Sequence, residues 1–346
     1  MDGDSEEDFS HAYHRKLDDE LNRAACLWIR HAMANSQARV LRICFQTKPR
    51  LCLDYVRFES QLLTRVELTA AKFYGSTDFP RCPALQDLTM TECKIYGGDG
   101  ISSRSLAHLT IANCYLDWDE PRRTRISTPR LVSLQLSVLN GRAPLLDKMP
   151  LLVAANVTLD YLCEDTCDHN DAHRDSCYRI DDDTSGVYVE SLAICDSCHG
   201  GDNGSTVLLQ GLSEATDLEL IGDPSVFIFR KDCKSLATFS KLKTLLLNEW
   251  CMAVDFSALI YFLQCSPVLE KLTLQLGHCD TRYPVIKTEE SYKLNELLFS
   301  VPKQLNIIVI RCPKENGLVK ILLLLLMTNG VPREEIQIEQ NFSPPI

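Results

Sequence analysis

Aliphatic residues recur along this chain at spacings that predict short strands joined by return segments. From Leu85 to Ile95, aliphatic side chains stand at the first, fourth, sixth and eleventh places and Cys93 at the ninth. The stretch from Leu106 to Leu116 repeats this order with Cys114 at its ninth place. Because successive side chains of a strand point to opposite faces, the aliphatic residues are expected inside and the intervening polar ones outside.

Looser copies extend this L-x-x-L-x-L-x-x-C-x-L pattern, which is that of a leucine-rich repeat. They begin at Leu63, Leu131 and Leu152, so the five repeats are separated by 22, 21, 25 and 21 residues. After an interruption the pattern returns at Leu242 and Leu269, with a further strand expected around Leu218 and Leu220. A solenoid tolerates such unequal spacing because each repeat contacts only its neighbours.

Proline supports this register independently. It stands two residues before the leading leucine at Pro83, Pro129, Pro150 and Pro267. At that place it ends the return segment without removing a hydrogen bond that the sheet needs.

Composition and charge narrow the class of protein. The 346 residues are 45% hydrophobic, and the start of the sequence is acidic and polar, which is not typical of a secretory signal. The longest apolar run, Ile321 to Met327, is too short to span a bilayer. We therefore expect an intracellular protein of the cytoplasm or nucleus, whose 16 cysteines are mostly free thiols. With a pI of about 5.3, nucleic-acid and membrane binding are not expected.

An acidic segment interrupts the repeats. Residues 160–206 hold 12 acidic residues against 2 arginines, so most of the net charge of -11 is local to this insertion. The segment also contains Cys163, Cys167, Cys195 and Cys198, four thiols that offer a zinc site as an alternative. The first pair is followed by histidines after a single residue, a spacing shorter than zinc modules use. No metal or other cofactor is therefore expected.

Motifs of catalysis are missing from the sequence. It contains no nucleophile elbow, phosphate-binding loop, dinucleotide-binding turn or zinc-protease motif. We therefore expect a non-enzymatic protein.

Four repeat segments and the C-terminal region resemble the plant F-box/LRR family with a C-terminal FBD domain. The repeat segments are CPALQDLTMTECKIYG, STPRLVSLQL, FSKLKTLLLNEW and SPVLEKLTLQL. In the C-terminal region, the resemblance implies a strand near Leu305 to Arg311, a helix near Asn316 to Asn329 closed by Gly330, and a strand near Ile336 to Ile338. The segment LNRAACLWIRHAM resembles the helical lead-in to the repeats of that family.

The resemblance implies an α/β fold in which a leucine-rich-repeat solenoid carries a curved parallel sheet on its concave face and ends in an FBD-like α/β cap. The expected division is an acidic disordered tail at 1–20, the lead-in and first repeats at 21–159, the acidic Cys-rich insertion loop at 160–206, further repeats at 207–290 and the cap at 291–346. The residues before the lead-in do not resemble an F-box. Docking to a ubiquitin-ligase adaptor is therefore not expected.

The expected function is binding of a protein or peptide target on the concave face, as in the substrate-recognition part of an F-box ubiquitin-ligase receptor. Two alternatives are a zinc-dependent or small-ligand sensor that uses the Cys and His residues of the insertion, and a truncated gene product without retained function. The outward strand positions, where a partner is expected, are Asp87, Thr89, Glu92, Thr110, Asn113, Ser133, Gln135, Thr244, Asn248, Glu249, Lys271, Thr273 and Gln275.

Overall fold

The structure is a computed structural model whose described residues fall into two compact units. Those residues are 20–34, 37–45, 51–53, 56–74, 77–96, 100–116, 123–165, 206–223, 226, 228–233, 237–252, 256–277, 298–314 and 316–340. The chain divides into Met1–Asp147 (unit 1) and Lys148–Ile346 (unit 2). Each unit combines parallel strands with few helices, which is compatible with the α/β class predicted from the sequence.

Unit 1 consists of one helix and twelve strands within its described residues. The helix α1 covers 20–34, where the resemblance implied a helical segment. The strands are β1 Val40–Cys44, β2 Leu51–Cys52, β3 Arg65–Thr69, β4 Ala71–Phe73, β5 Thr77–Asp78, β6 Asp87–Thr91, β7 Lys94–Ile95, β8 Ile101–Ser102, β9 His108–Leu116, β10 Arg125–Ser127, β11 Ser133–Gly141 and β12 Leu145–Leu146.

The strands of unit 1 form two parallel sheets. The larger sheet has the order β1-β3-β6-β9-β11, and β2, β4 and β7 extend it through β7, which pairs with β9. The smaller sheet has the order β12-β10-β8-β5 and is built entirely from return segments. The sequence predicted β3, β6, β9 and β11, but not β1, β2, β4, β7 or the second sheet.

Unit 2 has six strands and four α-helices within its described residues. The strands are β13 Ala154–Leu159, β14 Asp217–Gly222, β15 Thr244–Asn248, β16 Lys271–Gln275, β17 Ile307–Cys312 and β18 Ile336–Gln340. The helices are α2 Leu209–Leu212, α3 Ile228–Asp232, α4 Ser257–Cys265 and α5 Gly317–Thr328, with short 3-10 turns at Glu249–Met252 and Arg333–Glu335. The strands pair in parallel in chain order from β13 to β18.

The elements predicted for the C-terminal region are confirmed. Asn316 accepts a hydrogen bond from the Val319 amide and so caps α5 at the predicted start. Gly330 has a φ of 91° and follows the last turn of that helix, as expected for a helix stop. Strands β17 and β18 lie before and after the helix as predicted.

We call a main strand together with its return segment a coil. Four coils begin with a tight turn that explains the recurring prolines. The amide of the leading leucine donates to the carbonyl three residues earlier, from Leu85 to Cys82 and from Leu131 to Thr128. The same bond joins Leu152 to Met149 and Leu269 to Ser266. Proline occupies the second place of all four turns, where its fixed φ is favourable and no N–H is needed.

A shared backbone acceptor then fixes the register between neighbouring coils. The amides of Gln86 and Asp87 both donate to the carbonyl of Thr64, and the next coil repeats the pair on the carbonyl of Gln86. In unit 2, Lys243 and Thr244 donate to Thr216 in the same way. The aliphatic positions therefore align from strand to strand, and Leu88, Leu109 and Leu134 are at most 2% exposed.

In three coils, the side chain at the ninth place donates a hydrogen bond to the preceding coil. The thiols of Cys93 and Cys114 donate to the carbonyls of Leu68 and Met90, which hold the sixth place of the coil before, at 3.5 and 3.4 Å. The indole Nε1 of Trp250 donates at 2.9 Å to the carbonyl of Leu220, which holds the same place in its coil. Hydrogen bonding between the two thiols and burial raise the pKa of Cys114, so it remains a protonated donor.

Asp232 is a buried carboxylate that holds the start of α2. Its oxygens accept from the amides of Val207, Leu208 and Leu209 at 2.6 to 3.1 Å. The side chain is 1% exposed, so these bonds replace the water that the carboxylate and the three amides would otherwise need. One side chain from the end of α3 thereby accepts from three consecutive amides where the chain enters α2.

Replacing Asp232 with alanine is expected to destabilise the chain by about 3 kcal/mol or more, because three buried amides lose their acceptor. Chemical denaturation followed by circular dichroism measures the change. Asp217→Ala is the matched control at an exposed position of β14, and it is expected to change stability by less than about 0.5 kcal/mol. Equal stabilities for the two variants would contradict the assigned role of Asp232.

Candidate functional site

The outward side chains of unit 1 form three parallel rows, of which two cross five strands and one crosses four. The middle row consists of Arg42, Glu67, Thr89, Thr110 and Gln135, which are aligned by strand register. One row lies towards the strand starts and contains Val40, Arg65, Asp87, His108 and Ser133. The third contains Cys44, Thr69, Thr91 and Ala112. We call these three rows the unit 1 outward face.

Strand alternation explains why these side chains reach the surface. In β6, Leu88 and Met90 are buried while Asp87, Thr89 and Thr91 are half-buried. The predicted positions Asp87, Thr89, Thr110, Ser133 and Gln135 all lie on the unit 1 outward face with at least partial exposure. The structure therefore brings these five sequence-predicted residues together.

Charges are concentrated at one side of the unit 1 outward face. Arg42 forms an ion pair with Glu67 at 2.7 Å, and Arg65 lies 3.7 Å from Asp87 and 3.9 Å from Glu67. Each partner is substantially exposed, so these pairs contribute little to stability. Across β9 and β11 the face is formed instead by hydroxyl, amide and imidazole groups. The face thus changes from paired charges to neutral hydrogen-bonding groups.

Arg42, Arg65, Glu67 and His108 belong to this face but were missing from the predicted set. The first of them lies on β1, whose sequence has no leading leucine and no ninth-place cysteine. The signal that identifies β1 is the aliphatic pair Leu41 and Ile43, which stands 25 residues before Val66 and Leu68. That offset is within the repeat range, so alternation alone could have found this strand.

Glu92 and Asn113 occupy the bend at the end of the first strand segment. Both are exposed and have left-handed φ angles of 52° and 53°, as has Ala70 at 56° in the preceding coil. Asn113 also accepts a hydrogen bond from the Ser137 hydroxyl at 3.3 Å. Their side chains therefore lie at the edge of the unit 1 outward face rather than within its rows.

In unit 2 the predicted outward positions are less accessible than expected. Thr244 and Lys271 are half-buried neighbours in one row. The amide of Asn248 is bonded to the backbone of Gly222, donating to its carbonyl at 2.9 Å and accepting from its N–H at 3.0 Å. Asn248 is therefore already committed to joining adjacent coils.

Thr273 and Gln275 correct the prediction, because both are buried. They are 4% and 8% exposed, although strand alternation places them on the outward side of β16. Thr273 is aligned between Leu246 and Val309, whose larger aliphatic side chains shield it. Gln275 is aligned between Asn248 and Arg311. Neither residue offers the solvated contact expected of it.

Glu249 carries the perturbed carboxyl among the predicted residues. Burial raises its pKa, the carboxylate of Asp223 acts in the same direction, and the hydrogen bond from the Gly277 amide opposes them. A β-carbon at Gly277 would lie 2.9 Å from the Glu249 Oε1 atom, so glycine permits this close approach. The geometry gives Glu249 a structural role between neighbouring coils.

The proposed zinc ligands fall largely outside the described residues. Cys163 is described and buried, and its thiol lies 3.8 Å from the Asp165 carboxylate. Cys167, Cys195 and Cys198 lie outside the described residues. Within the described part of the chain, no group of three or more His, Cys, Asp or Glu side chains is arranged to hold a metal ion.

Comparison with protein-family models, curated proteins and solved structures finds no match to this chain. None of the helices among the described residues has both the length and the hydrophobicity needed to cross a bilayer. Among the described residues, the unit 1 outward face brings together the largest group of predicted residues. Its groups are suited to hydrogen bonding with a partner.

Replacing Glu249 with glutamine is expected to change how stability depends on pH. Because the folded state raises the pKa of Glu249, its stabilising contribution is complete below the unfolded pKa and is lost as pH rises through the folded value. The variant lacks this loss and retains an oxygen for the Gly277 amide. Its stability relative to the natural chain should therefore increase from pH 4 upward.

Urea denaturation of both proteins at several pH values measures this difference. A difference that stays constant, or that falls as pH rises, would contradict the assigned environment of Glu249.

Proposed function

We propose that the chain is a non-enzymatic protein-binding module, a leucine-rich-repeat solenoid with an FBD-like α/β cap, that resembles the substrate-recognition part of an F-box-type receptor. The solenoid class is supported by the repeated coil start, in which two amides share one carbonyl of the coil before. The cap is supported by the succession of β17, α5 and β18. Docking to a ligase adaptor is not part of the proposal.

The single observation that carries this function is the row Thr89, Thr110 and Gln135 at the centre of the unit 1 outward face. These neutral side chains bind through hydrogen bonds without a large desolvation cost. They lie beside Asp87 and His108, which add charge and an imidazole to the same surface. Exposed polar side chains of this kind can make the direct hydrogen bonds that interaction surfaces carry.

The dimensions of the face favour an extended peptide segment. Five strands at a spacing of about 4.8 Å span roughly 19 Å, and three rows cover about 14 Å along the strands. An extended chain rises about 3.3 Å per residue, so roughly six residues cross the face. We therefore propose a segment of a protein target as the ligand.

The free thiols support a location inside the cell. The described cysteines, including the buried Cys93, Cys114 and Cys251, form no disulfides with one another. Reducing compartments keep thiols in this state. No observation on the described residues favours the zinc-dependent sensor or the product without function over protein binding.

Replacing Thr110 with arginine is expected to weaken binding of a partner by about tenfold or more, because a long charged side chain enters the centre of the face. Partners that co-purify with the natural chain are first identified by mass spectrometry. One purified partner is then titrated against each variant by calorimetry.

Gln61→Arg is the matched control, since it adds the same side chain at an exposed position outside the strands. It is expected to bind as the natural chain does. If Thr110→Arg also binds unchanged while folded, the unit 1 outward face is not the contact surface.

A further inference from the structure

We propose that the open edge of β1 accepts an additional strand from a partner protein, with an acidic residue opposite Arg42 and aliphatic residues on both sides of it. Within the described residues, β1 pairs with β3 alone and is the terminal strand of its sheet. The edge adjoins the unit 1 outward face, to which the Arg42 side chain belongs, but its binding groups are the backbone N–H and C=O groups of β1. The inference therefore goes beyond the proposed function.

Half of the backbone groups of β1 point away from β3. The carbonyl of Arg39 accepts from two amides at the start of β3, and the amide of Phe45 donates to the carbonyl of Thr69 at its end. These groups at the two ends of β1 therefore face β3. The backbone N–H and C=O groups of successive residues point to opposite sides of a strand. Those of the even-numbered residues between Arg39 and Phe45 therefore face the open edge. The N–H and C=O groups of Val40, Arg42 and Cys44 are thus directed outward, ready to pair with a strand.

The helix α1 covers the neighbouring terminal strand but leaves this edge open. The amide of Cys52 in β2 donates to the Asn22 side chain at 3.2 Å, and its carbonyl accepts from the Cys26 thiol at 3.5 Å. Both edge groups of Cys52 are therefore satisfied by α1. No corresponding bond to Val40, Arg42 or Cys44 is present among the described residues.

The inward side chains of β1 are incompletely covered as well. Leu41 and Ile43 are half-buried, whereas the aligned Val66 and Leu68 of β3 are at most 1% exposed. On α1 of the same unit, Trp28 is also 75% exposed. An added strand with aliphatic side chains would complete the burial of Leu41 and Ile43.

Charge and register define the added strand. On the paired side, Glu67 of β3 lies opposite Arg42, with Val66 and Leu68 opposite Leu41 and Ile43. The Arg42 side chain remains 68% exposed, so it is accessible from the open edge as well. An added strand with an acidic residue between two aliphatic residues would provide on the open edge the same kinds of partner that β3 provides on the paired edge. A second copy of β1 fits less well, because antiparallel pairing centred on Arg42 would place two arginines together.

The test uses the full chain and a capped peptide, TRVELTA, which has the sequence of residues 64–70. Residue-resolved hydrogen exchange is expected to show new protection at the Arg42 and Cys44 amides when the peptide is added. Cys44→Pro removes one outward amide without removing a bond to β3 and should weaken peptide binding by about fivefold or more. Cys44→Ser removes the same thiol, retains the N–H and should bind normally.

The peptide TRVKLTA tests the charge without altering the protein. Lysine opposite Arg42 is expected to weaken binding by about threefold or more. Absence of new protection at both amides, equal binding of the two peptides, or unchanged binding by folded Cys44→Pro would each overturn the proposal. If Cys44→Pro does not fold, the comparison of the two peptides decides. Protection that instead rises with protein concentration alone would identify a second copy as the occupant, and would also overturn it.

Discussion

The pairing of two adjacent amides with one carbonyl of the preceding coil is the constraint on which the rest of the structure depends. In unit 1 this link joins Arg39, Thr64, Gln86 and Ala107 as successive acceptors. It allows only one register between neighbours, so inward leucines meet inward leucines. Since side chains alternate, the same register aligns the polar residues outside. The core and the outward face are therefore two consequences of one backbone arrangement.

The ninth place shows how different side chains meet one backbone requirement. A carbonyl at the sixth place of a coil needs a donor once the next coil covers it. Cys93 and Cys114 supply a thiol, and Trp250 supplies an indole N–H that also packs against Phe229 at 4.8 Å between ring centroids. The larger donor occurs in unit 2, whose return segments include helices rather than the short strands of unit 1.

The sequence was sufficient to predict the main strands because their aliphatic spacing directly reflects burial. Prediction failed where neighbouring coils decide the outcome. Strands β5, β8, β10 and β12 are two or three residues long, too short for a periodic signal, and form only because coils align. The burial of Thr273 likewise depends on Leu246 and Val309 from adjacent strands. The acceptor role of Asp232 depends on residues more than twenty positions away in the chain.

Residue-resolved hydrogen exchange in the isolated chain tests the central claim most directly. If coils are stabilised by their neighbours, amides of β6 and β9, which have neighbouring strands on both sides, should exchange most slowly in unit 1. Those of β1 that face β3 should exchange faster, because this strand has one neighbour. Equal exchange rates along the series, or faster exchange in β6 and β9 than in β1, would contradict the account.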